Sequence, residues 1–175
     1  MVKKALIIVI GLIVAFIAVG FVLPSDFKVE RSIVIDAPAE EIYPRIVDLR
    51  RWQDWGVWFK RDPQMEVSFS GPDRAIGMKS EWKSETEGNG EMQIIALEHN
   101  QRVSYSLYFP DFEMGSTGEF VLQAQNDNTL VTWTDEGDVG NNPLNRYFAL
   151  MMDSMIGPDF EAGLDNLKML TENGS

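Results

Sequence analysis

Apolar and polar positions divide this chain into a short apolar segment and a longer region of alternating character. Residues 5–23, ALIIVIGLIVAFIAVGFVL, contain no charged side chain, and Lys3 and Lys4 stand before them. A helix of that length covers about 28 Å, close to the roughly 30 Å hydrocarbon core of a bilayer. The pattern predicts an uncleaved transmembrane anchor over residues 1–24 and a folded domain over residues 25–175. A cleaved signal peptide is the alternative, although residues 18–20 match a cleavage site poorly.

The two lysines also predict the orientation of this anchor. Basic residues tend to stay on the cytoplasmic side of a membrane, so Lys3 and Lys4 favour a cytoplasmic N-terminus. The domain would then be periplasmic or extracellular, held by a single span of the inner or plasma membrane. The membrane is therefore one predicted partner, contacted through residues 5–23.

Alternating apolar and polar residues begin at position 27, and turn sequences such as Gly88-Asn89-Gly90 interrupt them. Period-two alternation between short turns is typical of antiparallel hairpins with one buried face. The pattern predicts strands over residues 27–35, 66–70, 77–87, 91–98, 102–109, 112–123 and 129–138.

Helical spacing replaces this alternation in two places. After the first strand, Asp36 is the predicted N-cap of a helix whose stripe contains Ile42, Ile46 and Leu49. Trp52, Trp55 and Trp58 then follow at steps of three. Near the C-terminus, a long helix is predicted from Pro143 to about residue 170, with a kink at Gly157-Pro158. Its apolar stripe consists of Leu144, Phe148, Met151, Met155, Phe160, Leu164 and Leu167.

The order of these elements carries a resemblance to a known family. A strand, then DAPAEEIY, then a helix ending in LRRWQDW resembles the opening of polyketide cyclase/dehydrase-like proteins of the START-like (SRPBCC, helix-grip) superfamily. Residues 152–168 are similar to that family's last helix, and the resemblance covers roughly residues 27–170. It implies an α+β helix-grip fold: a curved antiparallel sheet of about six or seven strands around a long C-terminal helix, with two short helices after the first strand.

The resemblance further implies a cavity between the sheet and the C-terminal helix. Residues predicted to face inward would then form its wall, and an apolar wall rich in aromatics and Met suits a hydrophobic small molecule or lipid. The alternative is that they pack as ordinary core. The hydroxyl groups of Ser80 and Tyr105 are candidates to orient a polar head group. The predicted wall consists of Trp82, Tyr105, Phe109, Met114, Phe120, Trp133, Met151 and Met155.

Asp135 is the weak candidate for a catalytic group. It alternates in phase with Val131 and Trp133, which directs its carboxylate inward, where it could act as an acid or base. Its place near the end of a strand instead favours a solvated position with an ordinary pKa. The single His, His99, falls in a turn and is predicted to lie at the surface. Ser154 has no partner that would make a hydrolase triad.

Composition narrows the possible partners. The chain has 27 acidic and 15 basic residues and a net charge of −12, which disfavours binding to nucleic acid. It contains no Cys, and neither a metal site nor a cofactor is expected. The leading hypothesis is a membrane-anchored binding domain for a hydrophobic small molecule or lipid. The alternatives are a cyclase- or dehydratase-type enzyme acting in the same cavity, and a protein-interaction module that uses the segment from Trp52 to Trp58.

Overall fold

The computed structural model describes residues 2–174. The first element is a helix, α1 (Val2–Val22), whose residues are exposed except for Gly20. α1 is long and apolar enough to cross a membrane, a criterion that signal sequences also meet. Residues 23–25 connect it directly to the first strand.

The remaining elements form one antiparallel sheet with helices on one side. The strands are β1 (Asp26–Ile35), β2 (Glu66–Ser70), β3 (Lys79–Lys83), β4 (Gly90–Glu98), β5 (Arg102–Phe109), β6 (Met114–Gln125) and β7 (Asn128–Asp138). Short helices α2 (Ala39–Val47), α3 (Trp52–Trp55) and α4 (Val57–Arg61) follow β1, and α5 (Pro143–Glu172) ends the fold.

The seven strands are ordered β1-β7-β6-β5-β4-β3-β2, and every neighbouring pair is antiparallel. The α+β helix-grip prediction is confirmed. The largest difference in strand bounds concerns β3, which is shorter than the predicted strand over residues 77–87. Gly77 has a positive φ of 94°. Beyond Lys83, the Ser84 hydroxyl accepts hydrogen bonds from the backbone of Thr86 and Glu87 and closes a turn.

Helix α5 packs along β1 and covers one face of the sheet. Phe160 stacks on Trp133 with ring centroids 3.8 Å apart, and Leu164 and Leu167 are fully buried behind it. α5 continues as one helix through Gly157-Pro158.

Arg31 on β1 holds this helix in place. Its Nε donates to Glu161 at 2.6 Å and its Nη1 to Asp153 at 2.7 Å. The guanidinium also lies against Gly157, which stands midway between Asp153 and Glu161 in the sequence of α5. A Cβ at position 157 would overlap the guanidinium. Glycine at this position therefore lets the sheet and the helix approach each other.

The segment after β1 differs from its prediction in two respects. Pro38 is the N-cap of α2, and the predicted cap, Asp36, instead donates its backbone N–H to Glu172 at 2.8 Å. Trp52 and Trp55 are buried and donate their indole N–H groups to backbone carbonyls at the end of α2. Two of the three Trp side chains in the segment from Trp52 to Trp58 are therefore buried, which disfavours the alternative of a docking surface there.

Candidate ligand-binding cavity

A cavity of about 300 Å³ lies between the sheet and α5, at the end of the sheet where α1 joins β1. Its floor follows from the strand register. Phe27 pairs with Gly137, which pairs with Ser116, and the row continues across the sheet through Leu107, Met92 and Ser80. Side chains in one cross-strand row point to the same face, so this row forms a continuous surface beneath the cavity.

Helical side chains close the other side. Trp58 and Phe59 come from α4, and Met152, Ile156 and Phe160 come from α5. These residues leave the cavity predominantly apolar, since most of the wall is carbon or sulfur.

A buried polar cluster interrupts this apolar wall. Asp135 is 3% exposed, and its Oδ2 accepts a hydrogen bond of 3.1 Å from the Ser116 hydroxyl. Burial raises the pKa of Asp135 to about 7, with a smaller contribution from Glu136, while the Ser116 hydrogen bond opposes the rise. Asp135 therefore exchanges a proton near neutral pH, in contact with the cavity.

Tyr105 lies two strands away from Asp135, in the same row. The residue between them is Gly118, and a Cβ there would overlap the Tyr105 ring. The phenol oxygen accepts a hydrogen bond of 2.8 Å from Trp133 Nε1. Burial and the nearby charge of Asp135 raise the pKa of Tyr105 well above its usual value, so it stays a neutral phenol. Tyr105 is also one of the residues that line the cavity.

A charged bridge forms one side of the cavity. Arg61 at the end of α4 donates to both oxygens of Glu87 at 2.9 and 2.7 Å, and to both oxygens of Asp159 at 2.6 and 2.9 Å. All three residues line the cavity. The bridge connects α4, the turn between β3 and β4, and α5 through side chains alone.

Five of the predicted wall residues line this cavity: Trp82, Tyr105, Phe109, Met114 and Trp133. Phe120 is completely buried and stacks on Trp133, so it belongs to the core beneath the wall. Ser80 also lines the cavity. Whether any of these residues binds a ligand stays a prediction.

Met151 and Met155 were predicted to line the wall, and this placement is wrong. They are 50% and 51% exposed, and their neighbours Met152 and Ile156 line the cavity instead. Phe112, the first residue of the predicted strand over residues 112–123, is 65% exposed because it lies in a 3₁₀ turn rather than in β6. α5 carries apolar residues on several sides, so helical spacing alone predicted the wrong side of the helix for the cavity wall.

The expectation of a solvated Asp135 is also wrong, because its side chain is buried. Ser154 donates to the carbonyl of Met151 within α5. His99 lies at the surface, as predicted, with its ring edge-on to Tyr43.

Sequence reasoning missed the bridge formed by Arg61, Glu87 and Asp159. Glu87 and Asp159 lie 26 and 98 positions after Arg61 in the sequence, and each is an ordinary polar residue in its own segment. Within residues 2–174, no group of three or more acidic or His side chains is arranged to hold a metal ion.

The antiparallel sheet, the covering helix and the cavity between them define a helix-grip protein. Residues 26–172 match the family described as polyketide cyclase / dehydrase and lipid transport, and the chain belongs to that family. No curated protein matches the chain.

Solved structures share this fold at low sequence identity. The hypothetical protein jhp0584 from Helicobacter pylori is 10% identical with a TM-score of 0.63, over 82% of this chain and 87% of that one. A Thermobifida fusca protein is 20% identical with a TM-score of 0.62, over 81% and 90%. CalU16 from Micromonospora echinospora is 19% identical with a TM-score of 0.55, over 82% and 75%. At these identities the likeness shows the fold alone.

Proposed function

We propose that this protein binds a hydrophobic small molecule or lipid in the cavity between its sheet and α5, and that α1 anchors it in a membrane. The cavity carries the proposal. Its wall is made largely of aromatic and Met side chains, which contact an apolar ligand without demanding one shape.

The buried polar side chains would orient a ligand within this cavity. Ser116 and Asp135 lie in the sheet floor, and the Tyr105 phenol lies in the same row as Asp135. A ligand with one hydroxyl or carbonyl group would direct it toward these three side chains, because a buried polar group needs a hydrogen-bond partner. The apolar remainder of the ligand would lie against α4 and α5.

A membrane anchor favours the proposal that the ligand is one that partitions into lipid. α1 is a helix of 21 residues whose only charged residues are Lys3 and Lys4, and its residues are exposed except for Gly20. Two lysines before the span favour a cytoplasmic N-terminus and a domain on the opposite side. A binding domain held at the bilayer surface meets such a ligand at its source.

Occupancy of the cavity can be tested by filling it. Leu107 lies in the cavity floor, whereas Tyr108, the next residue on β5, points to the opposite face. The full chain is purified in detergent as Leu107→Trp and as Tyr108→Trp, and native mass spectrometry compares the bound molecules. We expect the unsubstituted chain and Tyr108→Trp to retain a small apolar molecule that Leu107→Trp loses.

Equal retention by Leu107→Trp and Tyr108→Trp would place the bound molecule outside the cavity. Absence of any bound molecule in all three proteins, together with no binding of N-phenyl-1-naphthylamine, would contradict the binding function.

A second candidate function, proton-transfer catalysis as in a cyclase or dehydratase, is favoured by Asp135. A carboxyl with a pKa of about 7 beside a cavity can both give and take a proton at neutral pH. Asp135→Asn removes the titrating proton and retains the shape. Glu136→Gln is the matched control, because Glu136 is the exposed neighbour on β7.

Mass spectrometry of the co-purified molecule separates the two functions. A dehydratase would hold the same molecule in the unsubstituted chain and in Glu136→Gln, while Asp135→Asn would accumulate a substrate heavier by one water. An unchanged molecule in all three proteins favours binding alone.

A further inference from the structure

The first half of α5 presents an apolar face that the rest of residues 2–174 leaves about half exposed. Leu144, Phe148, Met151 and Met155, here called the α5 stripe, recur at steps of four, three and four, which places them on one side of the helix. Each is between 49% and 53% exposed. A contiguous exposed apolar face marks an interaction site, unlike the scattered apolar residues of an ordinary surface.

The α5 stripe lies beside α1. The rings of Phe16 and Tyr147 stack with centroids 4.2 Å apart, and the Tyr147 hydroxyl donates to the Phe16 carbonyl at 2.6 Å. Gly20 approaches Pro143 so closely that a Cβ would overlap its backbone. Because Tyr147 directly precedes Phe148, the α5 stripe continues the apolar surface of α1 around α5.

Arg146 fixes the level of α5 relative to the end of α1. Its guanidinium donates to the carbonyls of Phe21 at 2.8 Å and Leu23 at 3.0 Å, which the helix leaves unpaired at its C-terminal end. If α1 spans a bilayer, Arg146 lies among the head groups. Phe16 and its partner Tyr147 then lie roughly 10 Å deeper along the helix axis, the depth to which interfacial helices bury their apolar face.

The α5 stripe also borders the cavity. Met151 and Met155 are each followed by a residue that lines it, namely Met152 and Ile156. A surface that covers the α5 stripe therefore reaches from α1 to the helical rim of the cavity.

Phe112 is a further exposed apolar residue, at the end of the sheet where α1 joins β1. It lies in the turn between β5 and β6 and is 65% exposed. That turn precedes Met114, and the strand register places the start of β6 beside the end of β7 and the start of β1. Phe112 and α1 therefore belong to the same end of the domain.

We propose that the α5 stripe and Phe112 lie in the surface of the bilayer leaflet nearest the domain, so that the rim of the cavity faces lipid. This inference rests on the proposed anchor. A lipid surface fits because it already surrounds the adjoining apolar side of α1. The strongly acidic chain makes attraction to anionic head groups unfavourable, so burial of apolar surface supplies the contact.

The absence of Cys from the sequence allows one label to be attached at a chosen position. Met155→Cys and Phe112→Cys report on the proposed contact, and Gln123→Cys reports on an exposed site near the other end of β6. Gly11→Cys reports on α1 itself, since a side chain there meets open space. Each full-length variant carries an environment-sensitive nitrobenzoxadiazole label in phosphatidylcholine vesicles and is exposed to iodide in water or to nitroxide-labelled lipid.

We expect labels at positions 155 and 112 to emit at shorter wavelength than the label at 123, to lose intensity to the lipid nitroxide and to resist iodide. The label at 123 should show the opposite behaviour. High salt should leave this pattern unchanged, because the contact does not depend on charge.

The label at position 11 separates failure of the inference from failure of the anchor. Lipid quenching at 11 with iodide quenching at 155 and 112 would overturn the inference and leave the anchor intact. Absence of lipid quenching at position 11 would overturn both the inference and the proposed anchor. Protection of 155 from both quenchers that disappears when the protein is diluted in lipid would identify a second copy as the cover, and would also overturn the inference.

Discussion

The Ser116 hydroxyl donates a hydrogen bond of 3.1 Å to Oδ2 of Asp135, joining β6 and β7 at the wall of the cavity. This bond opposes the effect of burial, which dominates and raises the pKa of Asp135 to about 7. The pair therefore keeps a proton near neutral pH at a point that a ligand in the cavity would contact.

Asp135 should make the stability of the protein depend on pH. Its pKa is higher in the folded chain than the ordinary value of 3.8, so the folded state binds the proton more tightly. The resulting stabilisation is fully present below about pH 4 and is lost as the pH rises through 7. Asp135→Asn should remove this dependence, on the order of 4 kcal/mol between these limits.

Denaturant unfolding of the full chain in detergent at several pH values measures this effect as the difference between the parent and Asp135→Asn. Glu136→Gln serves as control and should retain the decline. A difference between parent and Asp135→Asn that stays constant from pH 4 to 8 would show that Asp135 titrates normally.

Tyr105→Phe should lower the free energy of unfolding by about 1–3 kcal/mol, because it leaves the buried Trp133 Nε1 without its acceptor. Tyr108→Phe removes a hydroxyl from the outward-facing neighbour on the same strand and should change stability by less than about 0.5 kcal/mol. Chemical denaturation compares the two. Equal effects would mean that the bond between Trp133 and Tyr105 contributes nothing beyond a surface hydroxyl.

Arg61→Gln should loosen the side of the cavity that the charged bridge closes. The side chain of Arg61 is 46% exposed, so solvent screens its pairs with Glu87 and Asp159, and their loss should cost about 1 kcal/mol. Hydrogen–deuterium exchange in the turn at residues 84–89 should accelerate roughly fivefold. Arg102→Gln breaks ion pairs with Glu98 and Glu119 elsewhere on the sheet and should leave that turn unchanged. Unaltered exchange in Arg61→Gln would argue that the backbone alone holds the turn.

Gly157→Ala should destabilise the protein by about 1–3 kcal/mol, because the added methyl group overlaps the Arg31 guanidinium. Helix propensity alone predicts the opposite sign, a gain of up to about 1 kcal/mol. The double variant with Arg31→Ala distinguishes the two effects. In that background, Gly157→Ala should become neutral or stabilising in denaturant unfolding. Persistent destabilisation would assign the cost to another contact.

The alternation of residues along the strands predicted most of the sheet and part of the cavity. Trp82, Tyr105 and Trp133 face the helices because period-two spacing in a hairpin with one solvated face leaves few choices. β2 and β5 have the bounds that the pattern predicts. Local signals were sufficient wherever a residue's direction followed from its immediate neighbours.

Sequence alone determined that this chain forms a sheet of hairpins followed by a long helix, because period-two and helical spacing are written in consecutive residues. Tertiary structure decided which side of α5 meets the cavity, since Met151 and Met152 are equally apolar and only packing against the sheet distinguishes them. It also decided the state of Asp135, whose burial depends on elements brought over β7 from distant parts of the chain. Direction along a strand is a local property, whereas burial and electrostatics depend on what the rest of the fold places nearby.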